Sequence, residues 1–107
     1  MNSEIYIKKK LASGWFASLQ QIICYEFQKI EIDFGKKNGK KPKYFKIKNW
    51  EKSNNSGEGG GTYSIIKNGL VFDSVGVNFS EVSGKFSKKF RSEIPGTNKI
   101  SNYWATG

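Results

Sequence analysis

The residues best suited to chemistry stand together in the run Glu58-Gly59-Gly60-Gly61-Thr62. Three consecutive glycines suit a loop whose bare backbone N–H groups converge on a phosphate. A Walker loop, however, ends in Gly-Lys followed by Ser or Thr, with a strand before it and a helix after it. Here the glycines lead into Thr62-Tyr63-Ser64-Ile65-Ile66, a strand-like run with no lysine in the required place. The dinucleotide pattern G-x-G-x-x-G fails too, because its glycines open a helix. The run is instead expected to let backbone approach closely at the start of a sheet strand.

Other routes to catalysis are equally thin. Cys24 is the only cysteine and the chain has no histidine, so a thiolate nucleophile lacks its usual base. Cys24 falls inside an apolar pattern and reads as a buried structural thiol that makes no internal disulfide, as in a reducing compartment. Metal ligation would rest on carboxylates alone, and Glu51, Glu58, Asp73 and Glu81 show no ligand spacing. The net charge of +9 asks for an anionic partner. Yet Arg91 is the only arginine, and arginine is the residue of bidentate phosphate and base contacts. Tyr44, Phe45, Lys46 and Lys48 only faintly resemble the aromatic and basic face of an RNA-binding sheet. Abundant Lys, Asn and Ile also fit an AT-rich coding sequence.

The elements that would position these residues can be read from periodicity. Leu11, Trp15, Phe16, Leu19, Ile22, Ile23, Phe27 and Ile30 recur every three or four residues, the pattern of an amphipathic helix. Ser13 is placed to cap it, and Gln20, Gln21, Glu26 and Gln28 fall off the stripe. The stretch 34–45, with two glycines, a proline and five lysines, reads as a solvated loop. Residues 44–50 read as a short strand and 51–58 as a polar loop. Two β-rich runs, 62–67 and 70–82, flank Asn68-Gly69, which suits a two-residue type I′ hairpin turn. Gly76 inside the second run predicts a bulge or a close backbone approach. Residues 84–101 read as loop, with a helical turn near 87–93. Tyr103 opens a further strand, one with no partner in the sequence that follows. At 107 residues the chain suits one small domain, and no run reaches the roughly 20 apolar residues of a membrane span.

Taken in order, Trp50, Glu58, Gly59, Gly60, Gly61, Ser64, Gly69, Val71, Phe72, Gly76, Val77, Asn78, Phe79, Ser80, Val82 and Gly84 resemble the N-terminal region of the oxygen-dependent coproporphyrinogen III oxidases. The glycine run, Val71-Phe72 and Gly76-Val77-Asn78-Phe79-Ser80 together carry the likeness. The later Ile94-Pro95-Gly96 and Tyr103-Trp104-Ala105-Thr106-Gly107 are similar to the family's lead-in to a further strand. Thr62 stands where the family has a fourth glycine, and Asp73-Ser74 where it has Glu-Lys.

The resemblance implies an α+β fold, with an N-terminal amphipathic helix and antiparallel strands forming part of a large helix-flanked antiparallel sheet. Residues 1–107 would be the N-terminal part of a single oxidase domain. It implies decarboxylation of two propionates of coproporphyrinogen III to vinyls, yielding protoporphyrinogen IX in haem synthesis. Dioxygen would be co-substrate, with no organic cofactor and a divalent metal associated with some bacterial members. The family's catalytic residues are expected beyond Gly107, so this chain supplies no catalytic, cofactor or metal site and would be inactive alone. A cytoplasmic homodimer is implied, with no nucleic-acid partner. Its contact would map to Ile65, Ile66, Lys67, Asn68, Gly69, Leu70, Val71, Phe72, Asp73 and Ser74. A small basic nucleic-acid-binding module and a remnant that pairs with a full-length oxidase are the competing readings.

Overall fold

In the computed structural model, residues 3–54, 57–87, 93 and 102–107 are described. A single helix, α1 (Ser3–Asn38), precedes four strands, β1 (Lys46–Asn54), β2 (Gly57–Lys67), β3 (Ser74–Lys85) and β4 (Asn102–Thr106). The strands form one antiparallel sheet in the order β1-β2-β3-β4. This is the expected α+β architecture.

α1 runs well beyond the apolar stripe of 11–30 at both ends. Ser13 therefore lies mid-helix and is not its cap. Gly39 stops the helix at φ 62°, and Lys40 N–H donates to the Gly35 carbonyl at 2.9 Å. That six-to-one bond closes a Schellman turn, which needs the left-handed conformation glycine adopts without strain. Residues 34–38, expected in a loop, thus form the last turn of α1. β1 likewise extends past Trp50 through Asn54, and Gly57 and Glu58 already belong to β2. The polar composition of 51–54 misled because these residues pair with β2 while lying on the sheet's edge strand, where polar side chains are tolerated.

The β2–β3 connection also differs from expectation. Lys67 pairs with Ser74, so the link has six residues, 68–73. Asn68 N–H donates to the Asp73 carbonyl at 2.7 Å and Gly69 N–H to the Phe72 carbonyl at 2.9 Å. Asn68 has φ 56°, but the chain continues past Gly69 instead of reversing there. Gly76 makes no bulge: it pairs regularly with Ile65, and a Cβ added to it would meet nothing within 4 Å. Gly84 and Lys85, expected in a loop, end β3. β4 does have a partner, upstream: it pairs with the end of β3, Ser83 opposite Trp104. The helical turn expected near 87–93 falls outside the described residues except for Ser87 and Glu93.

Sheet register assigns the faces. Thr62, Ser64 and Ile66 of β2 align across the ladder with Phe79, Val77 and Val75 of β3, and alternate side chains share a face. Among the described residues, Ile66 is the apolar side chain most completely enclosed, at 1% exposure. It belongs to the face that α1 covers.

Candidate functional site

α1 meets the sheet through polar groups. Ser13, Gln20 and Glu31 are all buried. They lie seven and eleven residues apart, spacings that return to the same side of a 3.6-residue helix. The Gln20 amide donates from Nε2 to two carbonyls on adjacent strands, Thr62 at 2.8 Å and Val77 at 2.9 Å. Ser13 Oγ donates to Glu81 Oε1 at 2.9 Å, and Trp104 Nε1 donates to Glu81 Oε2 at 3.0 Å. Lys9 Nζ lies 5.5 Å from the centroid of a Trp104 ring. One helix is thereby tied to β2, β3 and β4.

Glu31 is the most enclosed of these groups, with 0% exposure. Its Oε1 accepts from Val71 N–H at 2.5 Å and Phe72 N–H at 3.3 Å, and its Oε2 accepts from Lys43 N–H at 3.1 Å. Burial alone would raise the carboxyl's pKa. Hydrogen bonds from the backbone of Val71, Lys43, Phe72 and Leu70 outweigh it and hold the group below its ordinary value. Such a carboxylate stays ionised with its oxygens occupied, so it braces structure and is not poised for proton transfer. Gln28 extends the brace along the chain leading into β1. Its Nε2 donates to the Lys43 carbonyl at 2.8 Å, and its Oε1 accepts from Phe45 N–H at 2.9 Å.

The segment 65–74, expected to carry a dimer contact, sits against this brace. Ile65, Ile66 and Lys67 end β2, residues 68–73 form the loop, and Ser74 opens β3. The segment divides into an inner and an outer part. Ile66 is core, and the Phe72 ring stacks on Phe27 of α1 with centroids 5.0 Å apart and planes 19° apart. Val71 points outward, 43% exposed. Sequence reasoning missed Glu31 altogether. The available signal was its register with Ser13 and Gln20: three polar residues that recur on the same side of the helix.

The apolar stripe itself needs correction. Leu11, Trp15, Ile22 and Ile30 are exposed, Leu11 at 69%, while Gln20, read as off the stripe, is buried. Gln28, also read as off it, is half-buried. Phe16, Leu19, Ile23 and Phe27 are half-buried on the sheet side. Cys24, expected to be buried, is half-buried. It lines a cleft of about 690 Å³ between α1 and the β1–β2 side of the sheet, with Gln20, Tyr25, Phe45, Ile47 and Thr62.

The glycine run behaves as its position predicted. A Cβ on Gly61 would lie 2.0 Å from the Phe79 carbonyl oxygen, one on Gly59 2.3 Å from that of Glu81, and one on Gly60 2.6 Å from that of Trp50. Backbone of β1 and β3 fills the space that side chains would need, and the run opens a strand. Among the described residues no three Cys, Asp or Glu side chains come together as a metal-binding group.

The geometry is thus that of a helix-braced sheet without a catalytic constellation among the described residues. A family-wide description of coproporphyrinogen III oxidase matches residues 12–107, nearly the whole chain. The chain belongs to the coproporphyrinogen III oxidase family. Oxygen-dependent coproporphyrinogen-III oxidases from Rickettsia bellii and Rickettsia felis are each 46% identical to it over 99 residues. That of Rickettsia rickettsii is 43% identical over the same length. These matches cover 92% of this chain but 34% of each relative, so the chain spans about a third of the length of the oxidases it matches. No solved structure matches it. No helix among the described residues is long and apolar enough to cross a membrane.

Proposed function

We propose that this chain supplies the N-terminal helix and first sheet strands of an oxygen-dependent coproporphyrinogen III oxidase of haem synthesis. The whole enzyme converts two propionates of coproporphyrinogen III to vinyls, giving protoporphyrinogen IX. Dioxygen is the oxidant and no organic cofactor takes part. The observation that carries this reading is the family match over residues 12–107 together with 46% identity to the R. bellii oxidase. The groups that act on substrate belong to the portion of the family this chain's match does not span. The enzyme works as a cytoplasmic homodimer, with residues 65–74 at the contact. A substrate bearing four carboxylates gives the chain's charge of +9 a role in steering.

Two preparations test this. In the first, the 107-residue chain is incubated alone with coproporphyrinogen III in air, and protoporphyrin is read by fluorescence after oxidation of the product. No turnover is expected, and turnover would overturn the assignment of the reacting groups to other parts of the enzyme. In the second, the matched 99 residues of the R. bellii oxidase are replaced by this chain. A folded chimera that decarboxylates coproporphyrinogen III is the expected result; a folded chimera without activity would sink the functional reading. Sedimentation of the Val71→Asp chain probes the contact, which a charge on the exposed Val71 side chain should weaken. Ile66 is unsuitable for that purpose, because at 1% exposure a charge there would disrupt the core.

A further inference from the structure

We propose that Glu31 is the positioning residue of the contact surface formed by residues 65–74, a statement that rests on reading that segment as a dimer contact. Among the described residues, two internal backbone bonds close the loop 68–73, Asn68 to Asp73 and Gly69 to Phe72. The tip between them, Leu70 and Val71, is left for something else to hold. Glu31 does so from α1, through one oxygen that takes the Val71 and Phe72 N–H groups.

The fit around that oxygen is close. A Cβ on Gly69 would lie 2.7 Å from Glu31 Oε1 and 2.5 Å from the Phe72 carbonyl oxygen. The loop therefore folds directly over the carboxylate. With Phe72 stacked on Phe27 and Leu70 half-buried, Val71 is the tip residue left for a partner to reach. The other carboxylate oxygen takes Lys43 N–H, so the same side chain sets the path of the chain into β1. A carboxylate is the side chain that can do all of this, because both of its oxygens only accept. A glutamine would turn its NH₂ toward either the loop amides or Lys43 N–H, donor against donor.

The test uses the 107-residue chain as it stands, with Glu31→Gln, Glu31→Ala and Val71→Asp. Sedimentation velocity over a concentration series gives the dimer dissociation constant, and hydrogen exchange gives protection at the amides of Val71 and Phe72. In the wild-type chain a dimer with protected amides is expected. Glu31→Ala, which removes the acceptor of the loop amides altogether, should speed exchange at both amides by about tenfold or more and raise the dissociation constant by a similar factor, and Glu31→Gln should do so wherever its NH₂ faces the loop. Val71→Asp should raise the dissociation constant while leaving Phe72 protected. If Glu31→Ala speeds exchange and the dissociation constant does not change, Glu31 does not position the contact. If both Glu31 variants lose the native tryptophan emission, the group is a fold brace and the proposal is overturned. A wild-type chain that stays monomeric at every concentration would remove the contact itself, an outcome distinct from failure at Glu31 alone.

Discussion

Replacing Gly61 by alanine isolates what the glycine run does for the fold. The added Cβ would stand 2.0 Å from the Phe79 carbonyl oxygen and 2.9 Å from Ser80 Cα. A carbon and an oxygen settle at about 3.3 Å or more, so β2 and β3 must part by roughly 1.3 Å where Gly61 faces Ser80. Both obstructing atoms are backbone and cannot rotate away. Gly61 is not at positive φ, so the cost comes from contact and not from conformational strain. Overpacking of this kind destabilises by about 1–3 kcal/mol, and the rigid neighbours place this case in the upper half of that range. Gly76→Ala is the matched control, one strand over, where the new methyl meets nothing within 4 Å. There the loss of unfolded-state freedom should stabilise by about 0.4–1 kcal/mol. Urea unfolding can be followed by tryptophan emission, with Trp50 directly opposite Gly61. The two variants should differ by roughly 2–4 kcal/mol at unchanged m-value. A Gly61→Ala chain within about 0.5 kcal/mol of Gly76→Ala would refute the reasoning, since that is the ordinary effect of a neutral surface change.

Three further outcomes follow from the polar seam. Because the folded-state pKa of Glu31 lies below its ordinary value of 4.5, its ionised form stabilises the fold above that value, and the contribution is lost as pH falls through the folded pKa. Urea midpoints measured from pH 7 downward should therefore fall less in Glu31→Gln than in the wild type, and parallel curves would contradict this. Gln20→Leu leaves the Thr62 and Val77 carbonyls without their shared donor; a loss of about 1–3 kcal/mol is expected in the same assay, and no loss would mean the amide is dispensable. Glu81→Ala removes the acceptor of both Ser13 and Trp104, so acrylamide quenching of Trp104 should increase in a chain with Trp15 and Trp50 replaced by Phe. Unchanged quenching would show that β4 is held by its backbone ladder alone.

Much of this architecture is legible without coordinates because it depends on local rules. The alternation in 62–67 and the Asn68-Gly69 signal bring β2 and β3 together, and the glycine run is assigned to backbone packing by its failure to meet phosphate-loop spacing. The ordered glycine, Val71-Phe72 and Gly76-to-Ser80 motifs lead to the family. Composition does not reveal which partners a segment will find. Residues 51–54 look like loop until they pair with 57–60, and Asn68-Gly69 looks like a complete turn until the Glu31 carboxylate draws the Val71 and Phe72 amides onto the helix.

The docking face of α1 shows the division most clearly. Periodicity establishes that a helix forms, but the helix carries apolar residues on two sides, Phe16, Ile23 and Phe27 on one and Leu11, Trp15 and Ile22 on the other. Hydrophobic pattern alone cannot choose between them. The choice falls to Ser13, Gln20 and Glu31, whose burial is favourable only because the Glu81 carboxylate, two strand carbonyls and three backbone amides from distant segments receive them. Those partners lie from 12 to 68 positions away in the chain. A sequence records the polar side chains, while the satisfaction of their hydrogen bonds exists only once the sheet has assembled beneath the helix.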